Sequence, residues 1–223
     1  MAANRRRGEA LMRRRSIFSD LGRAIPFGIA VATALVLSQP LVGAANLPVT
    51  IGGPFTLTSP EGTAVTEQTY RGQWLLVYFG FTSCPDSCPT ALLEISATLE
   101  KLGPDADKLQ PLFITVDPQR DTPTVMGNYT QSFDSKIVGL TGTPQQIAAV
   151  AQDYGVYYAP RKNGPGADDY VMDHSTYLYL MDAEGKFVRG FDADTPGERI
   201  AEAVRSAIAK ARENASHQGR PTQ

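Results

Sequence analysis

Residues 74–90, WLLVYFGFTSCPDSCPT, carry the strongest structural signal in the chain. The first half is a continuous run of apolar, aromatic and β-branched residues, which predicts a strand that is buried on both faces of a sheet. The second half is a polar loop that contains Cys84 and Cys88 and is followed by Pro89. Because proline is favoured in the first turn of a helix, a helix is predicted to begin there. The stretch therefore predicts a buried strand, a Cys-X3-Cys loop and a helix, in that order.

The segments on either side alternate between strands and helices. Further strands are predicted at 51–58 and 63–66 (a hairpin), at 112–116, at 137–140, and at 176–181 and 186–191 (a second hairpin). Helices are predicted over about 89–102, from 122 to about 133, from 143 onwards and over about 196–212, while Pro160–Asp169 reads as an exposed loop. This order predicts an α/β protein with a mixed sheet, helices on both faces and an N-terminal hairpin, which is a thioredoxin-like architecture.

The N-terminal residues predict a membrane segment. Seven arginines and only two acids lie in residues 1–45, and an apolar run begins at 24. We predict a cytoplasmic basic segment at 1–23, a membrane anchor or signal region at 24–45, a domain at 46–212 and a flexible tail at 213–223. A retained anchor is favoured, although Val42-Gly43-Ala44 also resembles a signal-peptidase site, which leaves a cleaved signal open. Either way the domain is expected beyond the membrane.

Composition narrows the possible functions. The 223 residues suffice for one domain and a leader, and the two cysteines are too few for a disulfide-stapled scaffold. Residues 46–223 contain 14 basic and 21 acidic residues, a charge near −7, which argues against nucleic acid as a partner. The predicted domain has one histidine, His174, since His217 lies in the predicted tail.

Cys84, Cys88 and His174 are the candidate metal ligands. The cysteines follow the first central strand, and in a thioredoxin-like sheet the loop before the second hairpin faces that position. His174 is therefore expected to approach the two sulfurs. Two thiolates and an imidazole suit Cu(I) and permit Cu(II), although zinc can also use this set with water as a fourth ligand. No catalytic residues are assigned beyond the redox-capable pair Cys84 and Cys88.

Three segments resemble the Sco/SenC family of copper-binding proteins: YFGFTSCPDSCPT at 78–90, VDPQRDTP at 116–123, and DHS at 173–175 followed by YLYLMD. The resemblance implies a domain that is tethered to a bacterial inner membrane, faces the periplasm and binds one copper ion through Cys84, Cys88 and His174. It also implies a role in assembling the dinuclear copper site of cytochrome c oxidase. The implied partners are the copper-site subunit of the oxidase and other copper chaperones. Ser87 departs from the family pattern, in which a β-branched apolar residue is common.

Two functions remain open from the sequence. The first is a metallochaperone that exchanges copper between thiolate ligands. The second is a thiol–disulfide oxidoreductase that keeps the copper-ligand cysteines of the oxidase reduced. Thioredoxin-type reductants usually carry Cys-X2-Cys and a proline before the facing strand, whereas this chain has three intervening residues and His174. This difference favours metal binding.

Several acidic residues near these motifs have structural or functional interpretations. Asp173 could orient the imidazole, and Asp86 could form a turn or modulate the site. In Asp117–Asp121, a structural role is favoured, with Arg120 paired to Asp121 and Thr122 capping a helix.

Overall fold

The computed structural model of the chain describes residues 50–166 and 169–218. The predicted basic segment and membrane segment, and the last residues of the predicted tail, lie outside this part. None of the helices within it has the length and apolar character needed to cross a bilayer.

The described residues contain nine strands and four α-helices. The strands are β1 Thr56–Thr58, β2 Ala64–Thr66, β3 Trp74–Gly80, β4 Leu109–Thr115, β5 Val138–Leu140, β6 Tyr158–Lys162, β7 Tyr170–His174, β8 Tyr177–Met181 and β9 Phe187–Asp192. The helices are α1 Ser87–Leu102, α2 Pro123–Gln131, α3 Pro144–Asp153 and α4 Gly197–Gln218. β1 pairs with β2 as the predicted N-terminal hairpin.

The core is a five-stranded mixed sheet with the order β5-β4-β3-β8-β9. β3 lies at its centre, parallel to β4 and antiparallel to β8. All seven residues of β3 are buried, as the continuous apolar run predicted. β8 and β9 form the second predicted hairpin. The central strand thus ends inside the molecule, with the cysteine loop directly after it.

Helices cover both faces of this sheet. On one face Tyr78 stacks on Phe113, and Phe113 contacts Tyr129 of α2. On the other face Phe79 contacts Tyr154, the residue that follows the last turn of α3. Neighbouring residues of a strand point to opposite faces, so α2 and α3 lie on opposite sides. The predicted α/β, thioredoxin-like architecture is confirmed.

The helix starts follow the predicted threonine–proline pattern. The Thr122 side chain accepts a hydrogen bond from the backbone N–H of Val125, and Thr143 accepts one from Gln146. In both helices the proline occupies the first turn, where its missing N–H costs nothing. α4 continues to Gln218, beyond the end predicted near residue 212.

The prediction of a loop at Pro160–Asp169 is wrong at its beginning. β6 extends to Lys162 and pairs antiparallel with β7, forming a separate two-stranded sheet. Its sequence, YAPRK, has a proline and two charges, features that are typical both of loops and of edge strands. Only its pairing with β7, further along the chain, shows that this segment is a strand and not a loop. A local sequence pattern does not show that pairing. The β6–β7 hairpin carries His174 at its end.

Candidate metal centre

The two cysteines lie at the carboxyl end of β3, where the chain enters α1. Cys84 is half-buried, Cys88 is buried, and neither forms a disulfide. The backbone N–H of Cys88 donates a hydrogen bond to the sulfur of Cys84 over 3.4 Å. This N–H belongs to the first turn of α1, whose N–H groups have no partner within the helix. The Cys84 sulfur therefore lies where a helix N-terminus favours a thiolate.

The pKa values of the two cysteines move in opposite directions. The Cys88 side chain lowers the pKa of Cys84 by hydrogen bonding to its sulfur, and His174 and Ser87 add to this effect against the opposing effect of burial. The pKa of Cys88 is raised by the same hydrogen bond, by burial and by the nearby charge of Cys84. Cys84 is therefore the residue that ionises first, and it is also the more accessible of the two.

Gly80, the last residue of β3, makes room for the Cys88 sulfur. A Cβ atom at this position would lie 2.7 Å from the Sγ of Cys88 and 2.7 Å from a ring carbon of Phe113. Any side chain here would displace the sulfur. The sequence pattern did not identify Gly80, although a glycine inside an apolar strand is a known sign of close approach by other atoms.

His174 meets the cysteines from the β6–β7 hairpin. Its Nε2 lies 3.6 Å from the Sγ of Cys88, and its Nδ1 lies 2.8 Å from the backbone carbonyl of Ser175. Because a carbonyl oxygen only accepts, Nδ1 donates to it, and Nε2 is the ring nitrogen directed at the sulfurs. The predicted approach of His174 to the cysteine pair is therefore present in the fold.

Aromatic side chains enclose the imidazole. The rings of Phe81 and Tyr78 contact it edge-on at centroid distances of 5.8 and 6.2 Å. The Tyr78 hydroxyl is buried without a hydrogen-bond partner among the described residues. Burial and the nearby Cys88 raise the pKa of Tyr78, so the hydroxyl keeps its proton and remains a potential donor beside the sulfurs.

Together these residues form a group that can hold a metal ion. One ligand atom each from Cys84, Cys88 and His174 lies within 4.8 Å of the other two, and no second group of this kind occurs in the part of the chain that the structure describes. Cys84 and His174 line a cavity of about 430 Å³, whose wall also includes Asp86 and Arg161. A partner molecule can thus approach the half-buried Cys84 from solution.

The other residues singled out in the sequence have different roles. Asp173 does not orient the imidazole, since its carboxylate accepts both hydrogen bonds from Arg161, at 3.0 and 3.1 Å. Asp86 precedes α1 and its carbonyl accepts from Thr90, as expected of a turn residue, and its backbone also helps to lower the pKa of Cys84. The Ser87 hydroxyl lies 3.4 Å from the Cys84 sulfur and gives it a polar neighbour.

The Asp117–Asp121 segment has mainly the predicted structural role, but with a different ion pair. Arg120 contacts the carboxylate of Asp117, not that of Asp121. Asp121 is buried and instead accepts hydrogen bonds from Thr82 and Thr115. The sequence could not choose between two acids that flank one arginine, because the choice depends on which of them faces the sheet.

Comparisons with known proteins agree with this geometry. The family model described as SCO1/SenC matches residues 43–209. The chain belongs to the SCO1/SenC family. The resemblance that the sequence motifs suggested is therefore confirmed.

Individual SCO1/SenC proteins are similar over most of the described domain. The Schizosaccharomyces pombe protein sco1 is 42% identical over 158 residues, which are 70% of this chain and 60% of that protein. The SCO2-like protein of Rickettsia felis is 42% identical over 168 residues, or 74% of this chain and 82% of that protein. The structure of Bradyrhizobium japonicum ScoI with copper bound is 47% identical, with a TM-score of 0.64, and covers 70% of this chain and 98% of that one.

The contact at Gly80 yields a first prediction. Gly80→Ala should weaken copper binding at least about tenfold, because the new methyl group displaces the Cys88 sulfur, and it should cost about 1–3 kcal/mol of stability by overpacking. Copper affinity by competition and thermal unfolding measure the two effects. Gly190→Ala is the matched control, because a Cβ there meets only a carbonyl oxygen at 3.7 Å. Equal copper affinity in the two variants would contradict the role assigned to Gly80.

The opposite pKa shifts yield a second prediction. In the reduced protein, iodoacetamide should label Cys84 at about pH 6, where an ordinary thiol is protonated, and should leave Cys88 unlabelled. Cys88→Ala should move the pH midpoint of labelling upward, because it removes the main cause of the lowered pKa. Ser87→Ala should move it upward by less. Peptide mass spectrometry across a pH series gives the midpoints, and similar labelling of both cysteines at every pH would rule out this assignment.

Proposed function

We propose that this SCO1/SenC chain binds one copper ion through Cys84, Cys88 and His174 and acts in the assembly of cytochrome c oxidase. The observation that carries the proposal is the convergence of two sulfurs and an imidazole nitrogen within 4.8 Å. This donor set is soft, which suits Cu(I), and its nitrogen also permits Cu(II). The ion would supply no catalysis here, since it is the cargo.

Copper is supported over zinc by a relative. The similar Bradyrhizobium japonicum protein has a structure with copper bound, at 47% identity. Zinc remains chemically compatible with two cysteines and a histidine. Metal analysis of the purified, reduced full-length chain distinguishes the two ions.

The more specific role that we propose is delivery of copper to the copper-site subunit of the oxidase. Delivery requires that an incoming ligand reach the bound ion, and the half-buried Cys84 at the mouth of the cavity is suited to this. The hydrogen bond from Nδ1 to the Ser175 carbonyl orients the His174 ring so that Nε2 faces the two sulfurs. Other copper chaperones are the proposed source of the ion.

We place the domain in the periplasm, held at the bacterial inner membrane by the N-terminal segment. The support is the arginine-rich start of the chain followed by an apolar run. The match to the Rickettsia felis protein covers 82% of that protein and is consistent with a bacterial location. Whether the segment is retained or cleaved is a separate question that N-terminal sequencing of the mature protein answers.

A second function, thiol–disulfide exchange, is favoured by the contrast between the two cysteines. The Cys84 thiolate would attack a disulfide of the partner, releasing one thiolate and forming a mixed disulfide. Cys88, once deprotonated, would then attack Cys84, releasing the second partner thiolate. The partner disulfide gains two electrons, and the pair Cys84 and Cys88 loses two electrons and the one proton of Cys88, which a released partner thiolate takes up. The same sulfurs thus serve either function.

Removing the imidazole separates the two functions. His174→Ala should weaken Cu(II) binding at least about tenfold, because only two sulfur ligands remain, while both thiols stay oxidisable. Cu(II) titration followed by absorption and electron paramagnetic resonance measures the first effect, and thiol titration before and after oxidation measures the second.

The matched control is His217→Ala. His217 is the other histidine of the chain and is exposed on α4. Its replacement by alanine should leave copper binding unchanged. If His174→Ala retained the stoichiometry and spectrum of the unaltered protein, His174 would not be a ligand. A chain that bound no copper and still exchanged disulfides would support the oxidoreductase instead.

A further inference from the structure

The position of His174 is set only in part by the main sheet, which the chain enters three residues later at the start of β8. His174 belongs to the β6–β7 hairpin, which forms its own two-stranded sheet, whereas the cysteines follow β3 of the five-stranded sheet. A two-stranded hairpin is marginally stable by itself in water. Beyond the short connection from His174 to β8, contacts between side chains therefore hold the hairpin against the rest of the domain and keep the imidazole next to the sulfurs.

One such set of contacts joins Asp117 and Arg120 to Tyr170, the first residue of β7. Arg120 donates a hydrogen bond from Nη1 to the Tyr170 carbonyl at 3.0 Å, and its guanidinium lies 3.8 Å from the centre of the Tyr170 ring. The Tyr170 hydroxyl donates to Asp117 at 2.8 Å, and Arg120 is ion-paired with Asp117. Asp117 is 3% exposed, so water screens these contacts weakly.

The other end of the same segment holds the cysteine loop. Asp121 accepts hydrogen bonds from the backbone N–H and the hydroxyl of Thr82, at 3.1 and 2.5 Å. It also accepts one from Thr115, the last residue of β4, at 2.6 Å. Thr82 lies two residues before Cys84. The loop that follows β4 thus contacts both halves of the proposed metal site.

We propose that Asp117 and Arg120 are positioning residues, which fix the β6–β7 hairpin so that His174 stays beside Cys84 and Cys88. This inference rests on the proposed function, because the placement of His174 matters only where the three residues bind copper. Tyr170 is four residues from His174 along an extended strand, about 13 Å. A tilt of about ten degrees at Tyr170 would move the imidazole by roughly 2 Å, which is enough to lose a metal bond.

The test compares Arg120→Ala with Arg161→Ala in the full-length chain. Arg161 is the matched control, because it also pairs with an aspartate and lies on the same hairpin, but its pair with Asp173 is within the hairpin and exposed. In the reduced, copper-free protein, Arg120→Ala should raise amide hydrogen exchange of residues 170–175 about tenfold, as loss of a charged hydrogen bond predicts, and leave α1 unchanged. Arg161→Ala should leave α1 unchanged and raise the exchange of residues 170–175 by much less, because an exposed ion pair contributes little.

Copper affinity is the second property to be measured in these variants. Arg120→Ala should weaken Cu(II) about tenfold, with loss of the imidazole nitrogen signal in electron paramagnetic resonance, and should weaken Cu(I) by less, because two thiolates alone hold that ion. Arg120→Lys keeps the positive charge that Arg120→Ala removes, but an ammonium group cannot contact Asp117 and the Tyr170 carbonyl with the geometry of a guanidinium. Arg120→Lys should therefore bind Cu(II) more tightly than Arg120→Ala and less tightly than the unaltered protein. Tyr170→Phe, which keeps the ring and the carbonyl contact, should have a smaller effect and serves if Arg120→Ala does not fold.

Two outcomes would overturn the proposal. One is unchanged hairpin exchange and unchanged Cu(II) binding in both Arg120→Ala and Tyr170→Phe. The other is an equal loss of Cu(I) and Cu(II) binding together with faster exchange throughout α1, which would mean that Arg120 supports the fold as a whole. Failure of the proposed function is recognised separately, because hydrogen exchange in the copper-free protein reports the hairpin contact whether or not His174 binds copper.

Discussion

The close approach of His174 to Cys88, at 3.6 Å across 86 residues of chain, is the contact on which the site depends. It requires a central strand that ends inside the molecule, a glycine at the end of that strand and a hairpin that reaches back over it. Gly80 is the strictest of these requirements, because its missing side chain is the space that the Cys88 sulfur fills. The five-stranded sheet thus matters to function chiefly as a rigid support for two sulfurs.

The same arrangement means that copper binding and thiol exchange would use the same sulfurs in this chain. A helix N-terminus, a neighbouring thiol and an imidazole together favour a thiolate at Cys84. A thiolate that is half accessible is both a good soft-metal ligand and a nucleophile toward disulfides. His174 is the one member of the group that distinguishes the two roles, since disulfide exchange has no need of a third ligand.

Much of this could be predicted from the sequence, and the omissions have physical reasons. The continuous apolar run and the threonine–proline pairs are local signals, and the strand and helices that they predicted are present. The β6–β7 hairpin was missed because its strands resemble loops until they pair with each other. The predicted ion pair between Arg120 and Asp121 was wrong, because either neighbouring acid could pair with the arginine as far as the sequence shows. Only the three-dimensional fold turns Asp121 toward Thr82.

The division of the site between two sheets has a consequence for how a bound ion could leave. The sulfurs are attached to the most deeply buried strand, where any movement disturbs the core. The imidazole is attached to a hairpin that shares no backbone ladder with that strand. Release of an ion through movement of the hairpin would therefore cost much less than release through movement of the cysteines. A partner that displaced the hairpin would remove one ligand and leave both sulfurs in place, so that the ion would pass to the partner from two ligands instead of three.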